Sequence, residues 1–214
     1  METPLNPPDE NPNVFVPAFD RFNRPSLIVT LGRYYGQADV MAARGRLASQ
    51  VQEERGGYRT ATDARREDEA VRWSRCINEL NKGRKWPLKR LTERLRAMLS
   101  PDVAIAVVPS HDPVRFVTPV RTLAQALATE GRTDATGCLV RHTHIQRIVL
   151  GGQSTRALHR QTITVENPEL VTGRSVLLLD DVAKSGASLL ACRDLLMEAG
   201  AGRIQCLALG RVTP

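Results

Sequence analysis

The chain has 214 residues, a formal net charge of +7 and 42% hydrophobic residues, a composition typical of a soluble globular protein with one substantial core. No apolar run is long enough to span a bilayer, and the N-terminal stretch METPLNPPDENPN lacks the basic start and apolar run of a secretory signal. We therefore expect a cytoplasmic protein with no membrane partner, whose positive charge is compatible with a phosphate-rich ligand or a nucleic acid and requires neither.

The first part of the chain is predicted to be mostly helical. Residues 1–26, rich in proline and asparagine, are expected to form an extended arm, and residues 27–100 a helical hood. The last helix of the hood has an apolar stripe that includes Leu91 and Leu95, and its opposite face is basic. The elements predicted before residue 101 are a strand at 27–31 and helices at 38–54, 62–80 and 83–99.

Residues 101–214 alternate between short apolar runs and helical patterns. The run SVLLL at 175–179 is continuously apolar, as in strands that are buried on both faces of a parallel sheet. Thr118 and Pro119 form a typical helix start, in which a capping residue precedes a proline in the first turn. The alternation predicts an α/β core domain with a mostly parallel twisted sheet flanked by helices. The predicted strands are 103–108, 137–141, 161–165, 175–179 and 204–209, the helices begin near 119 and 186, and 142–160 shows no period.

Two adjacent carboxylates follow the apolar strand in the stretch VLLLDDVAKSGAS, residues 176–188. Ligands of open parallel sheets bind beyond the carboxyl ends of the strands, where Asp180 and Asp181 are predicted to lie. The loop 183–188 then leads into a helix N-terminus, whose backbone N–H groups and dipole favour an anion. Acceptors for hydroxyls beside donors for a phosphate match a sugar phosphate.

The same stretch resembles the phosphoribosyl-pyrophosphate (PRPP) motif of type I phosphoribosyltransferases, in which an apolar strand, two acidic residues and a loop with glycine and hydroxyl residues follow one another. The resemblance implies the type I phosphoribosyltransferase fold, PRPP as the ligand and Mg²⁺ as the cofactor. It also implies that Asp180 and Asp181 contact the ribose hydroxyls and meet the metal indirectly. The residues implied to cradle the 5′-phosphate are Ala183, Lys184, Ser185, Gly186, Ala187 and Ser188.

Two further segments are similar to ComF-like proteins of the same superfamily, although no zinc-binding cysteine module precedes them. The stretch HIQRIVLGGQSTRALH at 144–159 resembles their glutamine-containing segment with a downstream arginine. This implies a flexible loop with Gln146 and Arg147, and a catalytic role for Arg156 beside the two aspartates. The stretch AIAVVPSHDPVR at 104–115 resembles their first strand and pyrophosphate loop. The residues implied to bind pyrophosphate are Pro109, Ser110, His111 and Asp112.

The residues that would meet the acceptor are less typical of the family. Lys184 stands where 6-oxopurine members of the superfamily carry an aspartate near the purine, which argues against a hypoxanthine or guanine transferase of the usual kind. Lys184 could instead serve catalysis by contacting a phosphate or an acidic acceptor, or it could be solvated, as most lysines are. Tyr34 and Tyr35 could stack on a base, and packing beside the neighbouring glycine is their alternative role.

Three functions remain open at this point. The favoured one is Mg²⁺-dependent transfer of phosphoribose from PRPP to a nitrogenous base with release of pyrophosphate. The first alternative is a non-catalytic protein of this fold that binds a phosphoribosyl nucleotide and controls a partner in DNA uptake or DNA processing. The second is nucleic-acid binding by the basic face of 82–96, which holds seven basic residues and one acidic residue. A homodimer is compatible with the fold.

Overall fold

The computed structural model describes residues 28–36, 61–145 and 154–212. The arm predicted at 1–26, the helix predicted at 38–54 and the loop residues Gln146 and Arg147 lie outside the described residues.

Thirteen strands and α-helices make up the described part of the chain. The helix predicted to start at Thr118 and Pro119 is confirmed, because Thr118 is the N-cap and its Oγ1 accepts a hydrogen bond from the Arg121 N–H (3.2 Å). In chain order the elements are β1 (Ile28–Thr30), β2 (Arg33–Tyr34), α1 (Ala61–Asn81), α2 (Lys85–Arg96), β3 (Ala104–Val107), α3 (Pro119–Leu127), β4 (Thr133–Asp134), β5 (Leu139–Arg141), α4 (Arg156–Thr162), β6 (Ile163–Val165), β7 (Ser175–Ala183), α5 (Ala187–Glu198) and β8 (Arg203–Val212).

The main sheet has the strand order β1-β8-β7-β3-β4, and every pair in it is parallel. The short strand β2 also pairs in parallel with β8, beyond β1. Strands β5 and β6 form a separate antiparallel pair, with Arg141 opposite Ile163. The predicted α/β class with a mostly parallel sheet is confirmed.

Helices cover both faces of the main sheet. Alternate residues of a strand point to opposite faces, so Leu177 and Leu179 contact one helical layer while Leu178 contacts the other. Helices α1, α2 and α3 pack on the first face through side chains such as Ile77 and Leu91. Helix α5 packs on the second face with the β5–β6 pair. This burial on two sides explains the continuous apolar run of β7.

Strand β7 is longer than its apolar run predicts. It continues through both aspartates to Ala183, where it still pairs with Arg211 of β8. Backbone pairing needs no apolar side chain, so the end of hydrophobicity at Leu179 marks the end of the core and not the end of the strand. Helix α4 was not predicted, since its seven residues carry no apolar period.

The predicted division into arm, hood and core stays a prediction. Within the described residues, β1 lies in the main sheet with Ile28 opposite Cys206. Helix α1 is joined to the same sheet by its Trp73, whose Nε1–H donates to the Leu209 carbonyl oxygen (2.7 Å). None of the helices in this part of the chain has both the length and the apolar character needed to cross a membrane.

Candidate functional site

A cavity of about 700 Å³ opens at the carboxyl ends of β3 and β7. This is the edge at which ligands of parallel sheets bind. Several of the predicted site residues line the cavity together although they come from distant parts of the sequence. They are Tyr34, Pro109, Ser110, His111, Asp180, Asp181, Lys184 and Ser188.

Among the other predicted side chains, Arg156, Asp112 and Tyr35 do not line this cavity. The Arg156 Nε–H donates to Asp194 Oδ2 of helix α5 (2.5 Å), so Arg156 is held against that helix by an ion pair. Asp112 lines a smaller neighbouring cavity of about 200 Å³, and its Oδ1 accepts from the Val114 N–H (3.1 Å). Tyr35 donates its backbone N–H to Ser74 Oγ (2.9 Å). The roles predicted for these three residues stay predictions.

The two aspartates are held in place by neutral donors. Asp180 accepts from the Asp181 N–H (2.9 Å) at Oδ1 and from the Ser188 hydroxyl (3.2 Å) at Oδ2. Asp181 accepts from the Val182 N–H (2.7 Å) at Oδ1 and from the Asn81 amide (2.8 Å) at Oδ2. No ion pair between either carboxylate and a basic side chain forms within 28–36, 61–145 and 154–212.

The lack of a basic partner for the two aspartates is accompanied by raised pKa values at this corner of the cavity. Burial and, secondarily, the negative charge of Asp181 raise the pKa of the Asp180 carboxyl well above its usual value. Burial and then the charge of Asp181 likewise raise the pKa of the Tyr34 hydroxyl, which donates to Asn78 Oδ1 (2.6 Å). The cavity therefore has one corner of concentrated negative charge and is suited to hydroxyl donors or a cation there.

A buried glycine forms the turn from β7 into α5. Gly186 is the N-cap residue of α5 and has φ +78°, a left-handed conformation that favours glycine. Beside it, Ser185 Oγ accepts from the Ala187 N–H (3.3 Å). None of Ala183, Ser185, Gly186 and Ala187 lines the larger cavity, so their predicted contact with the 5′-phosphate stays a prediction.

We expect Gly186→Ala to destabilise the fold by about 2 kcal/mol, because its backbone would be strained in the left-handed region. The added Cβ would also lie 2.3 Å from Ile28 Cδ1. Denaturant unfolding measures the cost, and the background Ile28→Val removes the clashing methyl group. The cost of Gly186→Ala should be smaller in that background, and an equal cost in both would show that the contact with Ile28 is unimportant.

A buried arginine supports the opposite wall of the cavity. Arg141 is only 4% exposed, and its guanidinium donates to the Ser110 carbonyl oxygen (2.6 Å), to Thr162 Oγ1 (2.5 Å) and to His159 Nδ1 (3.1 Å). Because arginine can only donate, His159 accepts at Nδ1 and carries its proton on Nε2, which bonds to Ser154 Oγ (2.9 Å). Burial and then the charge of Arg141 lower the pKa of His159 to about 4, so this imidazole is neutral at pH 7.

Comparison with known proteins addresses the second half of the chain. Residues 117–211 match the family model of the phosphoribosyl transferase domain. This match covers less than half of the chain, includes the stretch 176–188 and supports the type I phosphoribosyltransferase superfamily for that part. The finer assignment to ComF-like proteins stays a prediction.

Comparison with solved structures gives a further likeness. A purine phosphoribosyltransferase from Pyrococcus horikoshii Ot3 is 18% identical over 60% of this chain and 84% of its own, with a TM-score of 0.32. No curated protein matches the chain. The mostly parallel sheet flanked by helices is consistent with the type I phosphoribosyltransferase fold.

Several residues that line the larger cavity were not predicted, namely Asn81, Arg141, Ser154 and His159. Arg141 carries a signal that could have revealed it, because it closes the apolar run GCLV as Asp180 closes VLLL. Asn81 and Ser154 stand in polar stretches that offer no such contrast.

The two aspartates suit Mg²⁺ better than a transition metal. No group of three or more histidine, cysteine, aspartate or glutamate side chains that could hold a metal ion occurs among the described residues. Mg²⁺ keeps several waters and takes oxygen ligands, often one or two carboxylates together with phosphates of the substrate. Asp180 and Asp181 offer such oxygens without a basic partner.

Proposed function

We propose that this protein binds PRPP with Mg²⁺ and transfers its phosphoribosyl group to a nitrogenous base with release of pyrophosphate. The observation that carries the proposal is the convergence, around one cavity, of the phosphoribosyl motif and the loop after β3. Phosphoribosyl transfer is the general activity that the domain match supports.

The cavity divides into parts that suit the parts of PRPP. The turn 183–188 at the start of α5 would hold the 5′-phosphate, since backbone N–H groups and the helix dipole favour an anion there. Asp180 and Asp181 would accept the ribose hydroxyls. Pyrophosphate would lie against Pro109, Ser110 and His111 of the pyrophosphate loop, with the positive charge of Arg141 behind it.

In the reaction, the bond from the anomeric carbon to pyrophosphate breaks and a bond to the nitrogen of the base forms. Pyrophosphate leaves with the electron pair, and the transition state resembles an oxocarbenium ion, as in other glycosyl transfers. Asp180 and Asp181 would stabilise the positive charge that develops on the ribose, and the loop 109–111 would position the leaving group. When bound, Mg²⁺ neutralises charge on the leaving pyrophosphate.

The proposal also limits the acceptor. Lys184 lines the cavity where 6-oxopurine transferases of the superfamily carry an aspartate, so we do not expect hypoxanthine or guanine to be used in the usual way. Tyr34 lines the same cavity, and its contact with the acceptor stays a prediction. A cytoplasmic location and a homodimer remain predictions.

Calorimetric titration with PRPP and Mg²⁺ tests the proposal. Wild-type protein should bind saturably, and Asp181→Asn should bind at least about 100-fold more weakly because it loses a charged acceptor for the ribose. Asp134→Asn is a matched control, since Asp134 ends the edge strand β4 away from the cavity and accepts from the Thr136 N–H (2.9 Å). Absence of PRPP binding to the wild type would overturn the proposal.

A non-catalytic role is the second candidate. Its support is the exposed basic side of α2, where Lys89, Arg90 and Arg94 face outward and Arg94 also stacks over Trp73 (5.0 Å to the ring centroid). Such a side could hold a nucleic acid while the cavity senses a phosphoribosyl ligand. PRPP binding without pyrophosphate release for any base, together with a salt-dependent gel shift with DNA, would favour this role.

A further inference from the structure

A second cavity of about 360 Å³ adjoins the PRPP cavity. The two share four lining residues from the end of α1 and from the segment that leads into α3: Asn81, Arg115, Thr118 and Pro119. Asn81 stands at the junction, because its amide donates to Asp181 Oδ2 (2.8 Å) on the PRPP side. A group that is attached to the ribose could therefore extend past Asn81 into the second cavity.

The charged side chains that line the second cavity are all basic. Lys82 and Arg84 share Glu79, with Nζ of Lys82 at 2.8 Å and Nε of Arg84 at 3.7 Å from its carboxylate. Lys85 and Arg115 form no ion pair within the described residues. Because the Glu79 carboxylate is the one acidic partner of these four cations among the described residues, the electrostatic potential in the cavity is strongly positive.

The position of these cations increases that potential. Arg84 is the N-cap residue of α2 and Lys85 is its first residue, and the first turn holds no acidic side chain. A helix dipole disfavours cations at its N-terminus, so neither residue is explained by the stability of α2. An anion in the cavity would compensate both the dipole and the side chains.

The second cavity also has apolar lining residues. Leu80, Leu88, Val117 and Pro119 line the same cavity, and Val117 is 81% exposed. A planar ring could pack on these side chains, since apolar area gains free energy by leaving water. A flat heterocycle that carries an acidic group would complement these apolar and basic side chains.

We propose that the second cavity binds the acceptor, and that the acceptor is a planar heterocycle with an acidic substituent such as a carboxylate. The inference rests on the proposed function and specifies its substrate class. Lys85 and Arg115 would bind the acidic group, and Asn81 would separate it from the aspartates at the ribose.

Pyrophosphate release from PRPP tests the inference with matched pairs of acceptors, nicotinate against nicotinamide and orotate against uracil. For at least one pair, the wild type should use the acidic member at least about tenfold better in kcat/KM, as expected for one charge-assisted contact. Lys85→Glu should reduce this preference to less than about threefold. Lys89→Glu is the matched control, because Lys89 lies one turn further along α2, outside the cavity, and should leave the preference unchanged.

The remaining outcomes separate the inference from the function on which it rests. Equal use of both members of each pair, or PRPP binding with no turnover of any of the four compounds, would overturn the inference and leave PRPP binding intact. Weaker PRPP binding by Lys85→Glu would also overturn it, since the cavity would then serve pyrophosphate. Failure of the wild type to bind PRPP in calorimetry would remove the proposed function and the inference together.

Discussion

Arg141→Met is expected to destabilise the protein by about 2 kcal/mol and to weaken PRPP binding at least about tenfold. The guanidinium holds three acceptors, and its removal leaves the Ser110 carbonyl, Thr162 Oγ1 and His159 Nδ1 with one partner fewer. Loss of a hydrogen bond from a charged donor destabilises a protein more than loss of one from a neutral donor. Part of this destabilisation is offset, because the variant no longer buries a cation without a counter-charge.

The effect on PRPP follows from the position of Arg141 at the cavity. Its Nε–H fixes the carbonyl of Ser110 in the loop after β3, and the side chain itself lines the cavity. A bound pyrophosphate would supply the counter-charge that this buried cation lacks among the described side chains. Methionine has a similar length and fills the space without the charge, so its effect separates charge from packing.

Arg132→Met is the matched control for this prediction. The Arg132 side chain is also 4% exposed, and it donates to the Leu99 carbonyl (2.7 Å) and to the Ser100 carbonyl (2.9 Å) away from the cavity. It should lower stability in denaturant unfolding by a similar amount and leave calorimetric PRPP affinity unchanged. Equal PRPP affinities for the Arg141 and Arg132 variants would contradict the role given to Arg141.

The acidic and loop residues of the site were easier to predict from the sequence than the other residues that line the cavity. The stretch VLLLDDVAKSGAS is local, so strand, carboxylates and helix start could be predicted together, and the structure brings Asp180, Asp181, Lys184 and Ser188 to one cavity. Asn81 reaches Asp181 across 100 positions of the chain. No local pattern records such a contact, because it depends on how α1 packs on the sheet.

The fold shows the same difference between local and distant information. Apolar runs predicted β3 and the central parts of β7 and β8, which are buried on both faces. The partners of a strand are not encoded in its own period, so the pairing of Ile28 with Cys206 could not be predicted. The ion pair between Arg156 and Asp194 could not be predicted either, because only the packing of α4 on α5 creates it.

Asp180→Asn is expected to abolish PRPP binding and at the same time to stabilise the ligand-free protein by about 1 kcal/mol at pH 7. Asparagine keeps the local hydrogen bonds, since Oδ1 can still accept from the Asp181 N–H and Nδ2 can donate to the Ser188 hydroxyl. It removes a partly buried negative charge next to Asp181. The Asp180 carboxylate is thus held at a cost to stability, which PRPP and Mg²⁺ would offset on binding.

The dependence on pH tests the cause of this stabilisation. The pKa of Asp180 is raised in the folded protein by burial and by Asp181, so its contribution to wild-type stability is complete below the unfolded pKa, about 3.9, and is lost as pH rises through the folded pKa. The asparagine side chain of the variant cannot titrate, so the variant does not lose stability in this way as the pH rises. In thermal unfolding without Mg²⁺, the gain in Tm of Asp180→Asn should vanish near pH 4 and grow toward neutral pH. A gain in Tm that is constant across this pH range, or a lower Tm of the variant at pH 7, would show that the charge of Asp180 does not destabilise the folded protein.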